Sequence, residues 1–599
     1  MRPLLPLLVV LVVTWARPAV ADVDVSPADI DRLIAALGDP DFDVREAAAA
    51  RLAAIGPRSI DALLAAAETS ADLEVALRAG WLAGEHPLEA AADPAVVRAE
   101  LRRYARTDAA ARGPILQRLL RLDDDAGIEA LARIVRLDRS TAGSRRAAAL
   151  LVREFARDDP AWPLLRPRIA AGIGAGIRPA VRFVRAVVEG TGAPPPAVIA
   201  RAADEAAAAL DLLERAPPAV DETGSAAAAD ASALVVMRRC LVELEMLAGR
   251  RDRALEHIRR LFTTAWEESR GDDDADATAV NLVWAVEHGL PEAVDLLEAR
   301  WPGLEIDDAV AAYAAAVALA ARGDRDRAAR LADAAHAADA AAGFVARFRN
   351  GLMLAKWGAT EWAIREYRAV CDDPQAAAAE FALAGISFAE LLHDLGRDVE
   401  AAEVLRRVAD GRDDGPGEAE RALRQLDRDP ALIRARAAYF AACAAAARGD
   451  LPARDRLLDD ALQRPAREVD ALIARYQAAA GDAAKRAAAR DLVARTLERI
   501  DDEILALPED PNGYNEYAWL VANTEGDVQK AIRYSRRSLE LGGENSSYLD
   551  TLAHCRFAAG DQAAAIRIQS LARRLEPHSR TIRRNLDRFR AAATGPVAP

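Results

Sequence analysis

Lysine is almost missing from this chain: Lys356, Lys485 and Lys530 are the only three, and arginine supplies the rest of the 79 basic residues, against 94 acidic ones. The formal charge of −15 leaves no broad basic face for a phosphate backbone, so no nucleic-acid partner is expected. The four cysteines, Cys240, Cys371, Cys443 and Cys555, form no CxxC pair, which excludes zinc-ribbon and thioredoxin-like sites. The seven histidines include no HExxH pair, and no GxSxG elbow, P-loop or kinase signature occurs. Gly172 to Pro179, GIGAGIRP, follows no strand and reads as an interhelical turn. The carboxylates near Asp272 and Asp501 read as loop and helix-start residues, which the helix dipole favours. No catalytic residue, metal or cofactor is therefore expected. Long apolar runs are missing too, since stretches such as Ala309 to Ala321 are too short to cross a bilayer.

What the chain does contain is helix-forming material. Over its 599 residues 52% are apolar and only 5% aromatic, with alanine rather than β-branched residues making up the apolar share. The first 21 residues stand apart: Arg2, an apolar run from Leu4 to Val13, and Ala19-Val20-Ala21 before Asp22 match a cleavable export signal. Export to a periplasmic or extracellular site is expected, with an uncleaved anchor in the inner membrane as the alternative. No cysteine follows the run to carry a lipid, so no membrane insertion is expected once the signal is removed.

Repetition sets the fold expectation. Shifting Pro511 to Pro577 by 34 residues brings Gly526 onto Gly560, Ala531 onto Ala565, Ile532 onto Ile566 and Leu541 onto Leu575. Glycine suits a tight turn and alanine a close helix crossing. This period and pattern resemble the tetratricopeptide repeat family. Further back, a small residue again follows a turn glycine by five positions: Gly249 and Ala254, Gly323 and Ala328, Gly358 and Ala363, Gly396 and Ala401. At Gly449 that place is taken by Arg454, and the register over 430–507 is open. Ala335, Ala461 and Ala572 sit twelve residues after a turn glycine, where the next repeat packs down.

Near the start, Val44, Ala48, Leu52 and Ile55 form a helical stripe after the Asp39-Pro40 break. The cluster Asp43, Val44, Arg45 resembles the opening of the second helix of a HEAT repeat, and a second copy spans Asp72 to Ala83, with Val75 placed 31 residues after Val44. The expected architecture is all-α, a right-handed α-α superhelix of HEAT-like and then tetratricopeptide-like hairpins. Its parts would be a signal (1–21), HEAT-like repeats (22–159), an irregular helical junction (160–232), degenerate repeats (233–508), two clear repeats (509–577), a capping helix (578–593) and a tail (594–599). In the cap, Ile582, Leu586 and Phe589 form the inward stripe. Repeats several steps apart in such a solenoid do not touch, so unpaired and mostly buried cysteines are expected.

The resemblance also implies a binding groove lined by the first helix of each repeat. Carried over by register, the lining residues are Asp550, His554 and Phe557 in the last repeat, Glu516, Leu520 and Asn523 in the one before, and Glu390, His393 and Asp394 further back. Phe348 and Lys356, then Tyr313, continue the series, and Arg436 and Tyr439 follow by weaker register. His554 would be either a pH-sensitive groove residue or a hydrogen-bonded surface histidine. The Lys and Asn clamp with which some relatives hold a chaperone tail is absent. The implied role is a non-enzymatic scaffold in a bacterial envelope that binds a protein or peptide. The alternatives are an envelope enzyme with a superhelix like that of lytic transglycosylases, or a structural subunit of an envelope complex.

Overall fold

The computed structural model describes residues 25–83, 88–122, 125–153, 162–216, 225–268, 273–411, 416–463 and 468–594. The expected signal (1–21), residues 595–599 of the tail and His86 lie outside them. Among the described residues every regular element is a helix, and no helix is long and apolar enough to cross a membrane. The main division into two compact units falls between Gly249 and Arg250.

The first unit holds α1 (Pro27–Ala36), α2 (Phe42–Ile55), α3 (Ile60–Thr69), α4 (Leu73–Leu82), α5 (Ala95–Arg106), α6 (Gly113–Leu120), α7 (Ile128–Leu137), α8 (Thr141–Arg153), α9 (Trp162–Ile173), α10 (Pro179–Gly190), α11 (Pro196–Arg215) and α12 (Ser225–Leu247). Their starts are written in the sequence. Ser26 and Asp29 form a capping box on α1, and the side chains of Asp41 and Asp72 accept backbone N–H groups at α2 and α4. Buried charge ties the unit together. Fully buried Arg178 donates to the Asp138 carbonyl at 2.6 Å and pairs with Glu68, while Arg136 holds Asp61 at 2.7 Å.

The stretch 160–232, expected to be an irregular helical junction, carries α9, α10, α11 and the start of α12 among its described residues. Pro167 lies inside α9, whereas other prolines and glycines of the stretch mark helix ends. Pro179 and Pro196 stand in the first turns of α10 and α11, where the missing N–H costs nothing. Gly174, at φ +49°, turns the chain between α9 and α10. The second unit therefore starts later than residue 233, because α12 runs through that position.

The second unit continues with α13 (Arg251–Glu268), α14 (Asp273–Glu287), a 3₁₀ stretch Pro291–Ala299, α15 (Ala309–Ala321), α16 (Arg325–Ala342), α17 (Phe344–Lys356), α18 (Thr360–Cys371), α19 (Ala378–Asp394), α20 (Asp398–Asp410), α21 (Pro416–Gln425), α22 (Pro430–Ala447), α23 (Leu451–Gln463), α24 (Val469–Ala478), α25 (Ala483–Ala506), α26 (Pro511–Asn523), α27 (Val528–Gly542), α28 (Ser546–Ala558), α29 (Gln562–Leu575) and α30 (Arg580–Thr594). Its hairpins follow the glycine–alanine spacing. Gly323, Gly358, Gly396, Gly526 and Gly560 all have positive φ, and Ala328, Ala363, Ala401, Ala531 and Ala565 are buried where the second helix meets the first. Gly449 makes the same turn at φ +75°, but Arg454 bonds outward to Asp455 at 2.6 Å. Further on, α25 runs for 24 residues, Ala483 to Ala506. Cys240, Cys371 and Cys555 are buried and Cys443 is half-buried, all as free thiols. The stripe of Ile582, Leu586 and Phe589 lies against the last hairpin, almost fully buried.

Candidate functional site

The first helices of successive hairpins in the second unit carry the predicted lining residues, and the structure sorts these into three groups. The first is covered by the chain's own last helix. Asp550 and His554 are buried, so both expectations for His554 fail, and Leu520 is fully buried in the core. The Asp550 carboxylate accepts from Gln569 Nε2 at 2.5 Å and from Asn585 Nδ2 of α30 at 3.0 Å. His554 lies edge-on to Trp519 and Phe589, at 4.7 and 5.0 Å, and Phe557 stacks on Phe589 at 4.6 Å. Burial pushes the His554 imidazole below its ordinary range, against the nearby Asp550. Phe557 is half-buried beneath Arg588.

A second group is committed to holding the chain in place. Asp394, at the end of α19, accepts from Ser579 Oγ at 3.1 Å and from the backbone N–H groups of Arg580 and Thr581 at 2.9 Å. It thus supplies the N-terminal cap of α30 from 185 residues away. Arg580 also donates to the Leu395 carbonyl at 2.9 Å, and His578 lies 3.2 Å from Glu287. His393 binds Asp398 at 2.5 Å and stacks on Phe440 at 4.2 Å. Asn523 donates to the Trp519 carbonyl at 2.9 Å. Tyr313 is fully buried and donates to Glu366, and Phe348 stacks on Phe344 at 5.5 Å. Glu516 is half-buried and Lys356 exposed.

The third group converges. Arg436 of α22 meets Glu390 of α19 at 2.7 Å, and both Glu468 and Asp470, at the start of α24, at 2.8 Å. Asp470 also accepts from Trp519 Nε1 of α26 at 2.8 Å. One guanidinium thus joins three first helices and faces three carboxylates, and Asp470 links a fourth through Trp519. Glu390 and Asp470 keep 42% and 28% of their side chains open, whereas Glu468 keeps 4%. Burial raises the Glu468 carboxyl to about 7, a rise that Arg436 only partly offsets. Burial pushes Asp470 the same way, but Arg436 and the Trp519 N–H outweigh it and leave that carboxyl low. Tyr439, half-buried beside them, is pushed up by burial. Glu468 and Asp470 lie where the register over 430–507 is open, while Trp519, one residue before Leu520 in a clear repeat, stands off the groove positions implied by register. The signal was the pair of acids opening α24, at the level of Glu390 and Arg436.

Among the described residues no group of three or more His, Cys, Asp or Glu could hold a metal ion. No family model and no curated protein matches the sequence. Solved structures do match along most of its length. The APC/C hetero-tetramer Cut9–Hcn1 is 13% identical, with 83% of this chain and 90% of that one covered at a TM-score of 0.23. The yeast Tom70 is 11% identical over 82% and 96% at 0.26, and the P58(IPK) TPR domain 13% identical over 83% and 98% at 0.15.

Proposed function

We propose that the chain is a non-enzymatic scaffold, exported by its N-terminal segment into a bacterial envelope, that holds a basic, extended segment of a partner protein along the first helices of its second unit. One observation carries this reading: three carboxylates converge on one guanidinium, and two of them remain open beside Trp519 and Tyr439. The surplus of negative charge suits a lysine or arginine side chain of the partner, and the aromatic rings offer contact area at low entropic cost. The site named by register in the last repeat is not available for this role, because α30 covers it.

The test is fluorescence anisotropy with a labelled nona-lysine peptide and, as control, a nona-glutamate peptide. The basic peptide binds, more weakly as salt rises, and the double variant Glu390→Gln, Asp470→Asn lowers affinity about tenfold, close to 1.4 kcal/mol. Equal binding of both peptides, or a variant that binds like wild type, would defeat the proposal.

A further inference from the structure

Five large apolar side chains stand in the open at the start of the first unit. On α4, Leu73, Leu77 and Trp81 are 72%, 62% and 79% exposed, and on the first turn of α2 Phe42 and Val44 are 58% and 40% exposed. A spacing of four places the α4 residues on one stripe. Val75 and Ala79 of the same helix face inward and are buried. The stripe is therefore a second apolar face on a helix whose first is already used. Arg45 lies over the Phe42 ring at 5.6 Å and 3.8 Å from Glu74, which ties the first turn of α2 to the first turn of α4. At roughly 150–250 Å² per aromatic ring and somewhat less per aliphatic chain, the patch comes to about 600 Å². A soluble chain that exposes this much contiguous apolar surface marks an interaction site.

We propose that the patch is the contact between two copies of this chain, with α4 packed antiparallel on its copy about a two-fold axis at Leu77. Three features select a second copy over another occupant. The spacing is symmetric: Leu77 faces Leu77, and each Trp81 faces Leu73 of the other copy. Self-complementarity of this kind is what an isologous interface requires. The rim charges oppose no like charge in that register, because Glu74 faces Gly80 and Arg78 faces Ala76. Those charges are also paired within each copy, Arg78 lying 2.5 Å from Glu74 and 2.7 Å from Glu46 and Arg45 3.8 Å from Glu74, so a charged partner gains little. The area approaches the ~800 Å² per partner of a standard interface.

Sedimentation of the purified chain from 1 to 100 µM gives a reversible dimer, and Leu77→Arg or Trp81→Ala weakens it at least tenfold with helix content and Tm unchanged. Leu77→Cys, on the axis, is joined to its copy by a short bismaleimide much faster than Leu505→Cys, a control that is 80% exposed in α25. A monomer at 100 µM, a dimer indifferent to Leu77→Arg, or equal cross-linking at both positions overturns the proposal. So does a dimer that vanishes when the chain begins at Asp22, which would place the contact in residues 1–21.

Discussion

Two charged clusters in the second unit are built as inverses of each other. Around α15 to α18 a single carboxylate, Glu366, is fully buried and meets three donors: Tyr313 Oη, His336 Nδ1 at 2.5 Å and Arg347 at 2.9 Å. Around α19 to α26 a single guanidinium, Arg436, meets three carboxylates. The first cluster closes its charge and sits where solvent cannot reach the acid, which is the arrangement of a structural clamp. The second carries an acidic surplus and stays half-open, which is the arrangement of a surface that can still accept a cation. Charge balance and exposure separate a device for stability from a candidate for binding.

The largest effect that tests this contrast is Glu366→Ala. It leaves Arg347 and Tyr313 without their buried acceptor, and removal of one partner from a buried ion pair costs about 3–5 kcal/mol. Urea unfolding of the variant should show the loss, with no change in binding of the nona-lysine peptide. A loss below 1 kcal/mol would show that Glu366 is not the clamp.

The next effect is opposite in sign. The folded Glu468 carboxyl titrates at about 7, above its ordinary 4.5, through burial beside two other acids. Between these two values the folded chain holds more protons than the unfolded one, so stability falls as pH rises through this window. Glu468→Gln removes that loss. The variant is expected to be more stable than wild type by about 2 kcal/mol at pH 8 and indistinguishable from it at pH 4. Melts at the two pH values check it, and an equal gain at both would mean that packing rather than charge is responsible.

Much of this fold is legible in the sequence, because each hairpin is fixed by local sterics. A glycine at positive φ and an alanine five residues on are decisions taken within one turn, as Gly560 and Ala565 illustrate. The amphipathic stripe of α30 is legible for the same reason. The site is less so. Asp550 and His554 occupy repeat positions that face a groove, yet they are buried because a helix from beyond the last repeat lies over them, and no spacing within a repeat encodes that. The reach from Asp394 to Ser579 is longer still. Arg436 and Glu390 were legible one at a time, but their meeting with Glu468 and Asp470 depends on α22 and α24 being neighbours on either side of α23.

The smallest effect concerns the line between these roles. Asp394 ends the same helix that carries Glu390, so a purely local reading places both in one groove. The structure gives Asp394 to the first turn of α30 instead, where its carboxylate satisfies two backbone N–H groups that would otherwise lack partners. Asp394→Ala should cost about 1 kcal/mol, the usual worth of an N-cap. The loss should appear first as faster amide exchange in α30, ahead of any change in the Arg436 cluster. Peptide affinity should stay at the wild-type value, because the acid that binds and the acid that fastens the helix are separate residues. If peptide affinity fell with Asp394→Ala as far as with Glu390→Gln, the two ends of α19 would belong to one site and the division between clamp and binding surface would have to be redrawn at α30.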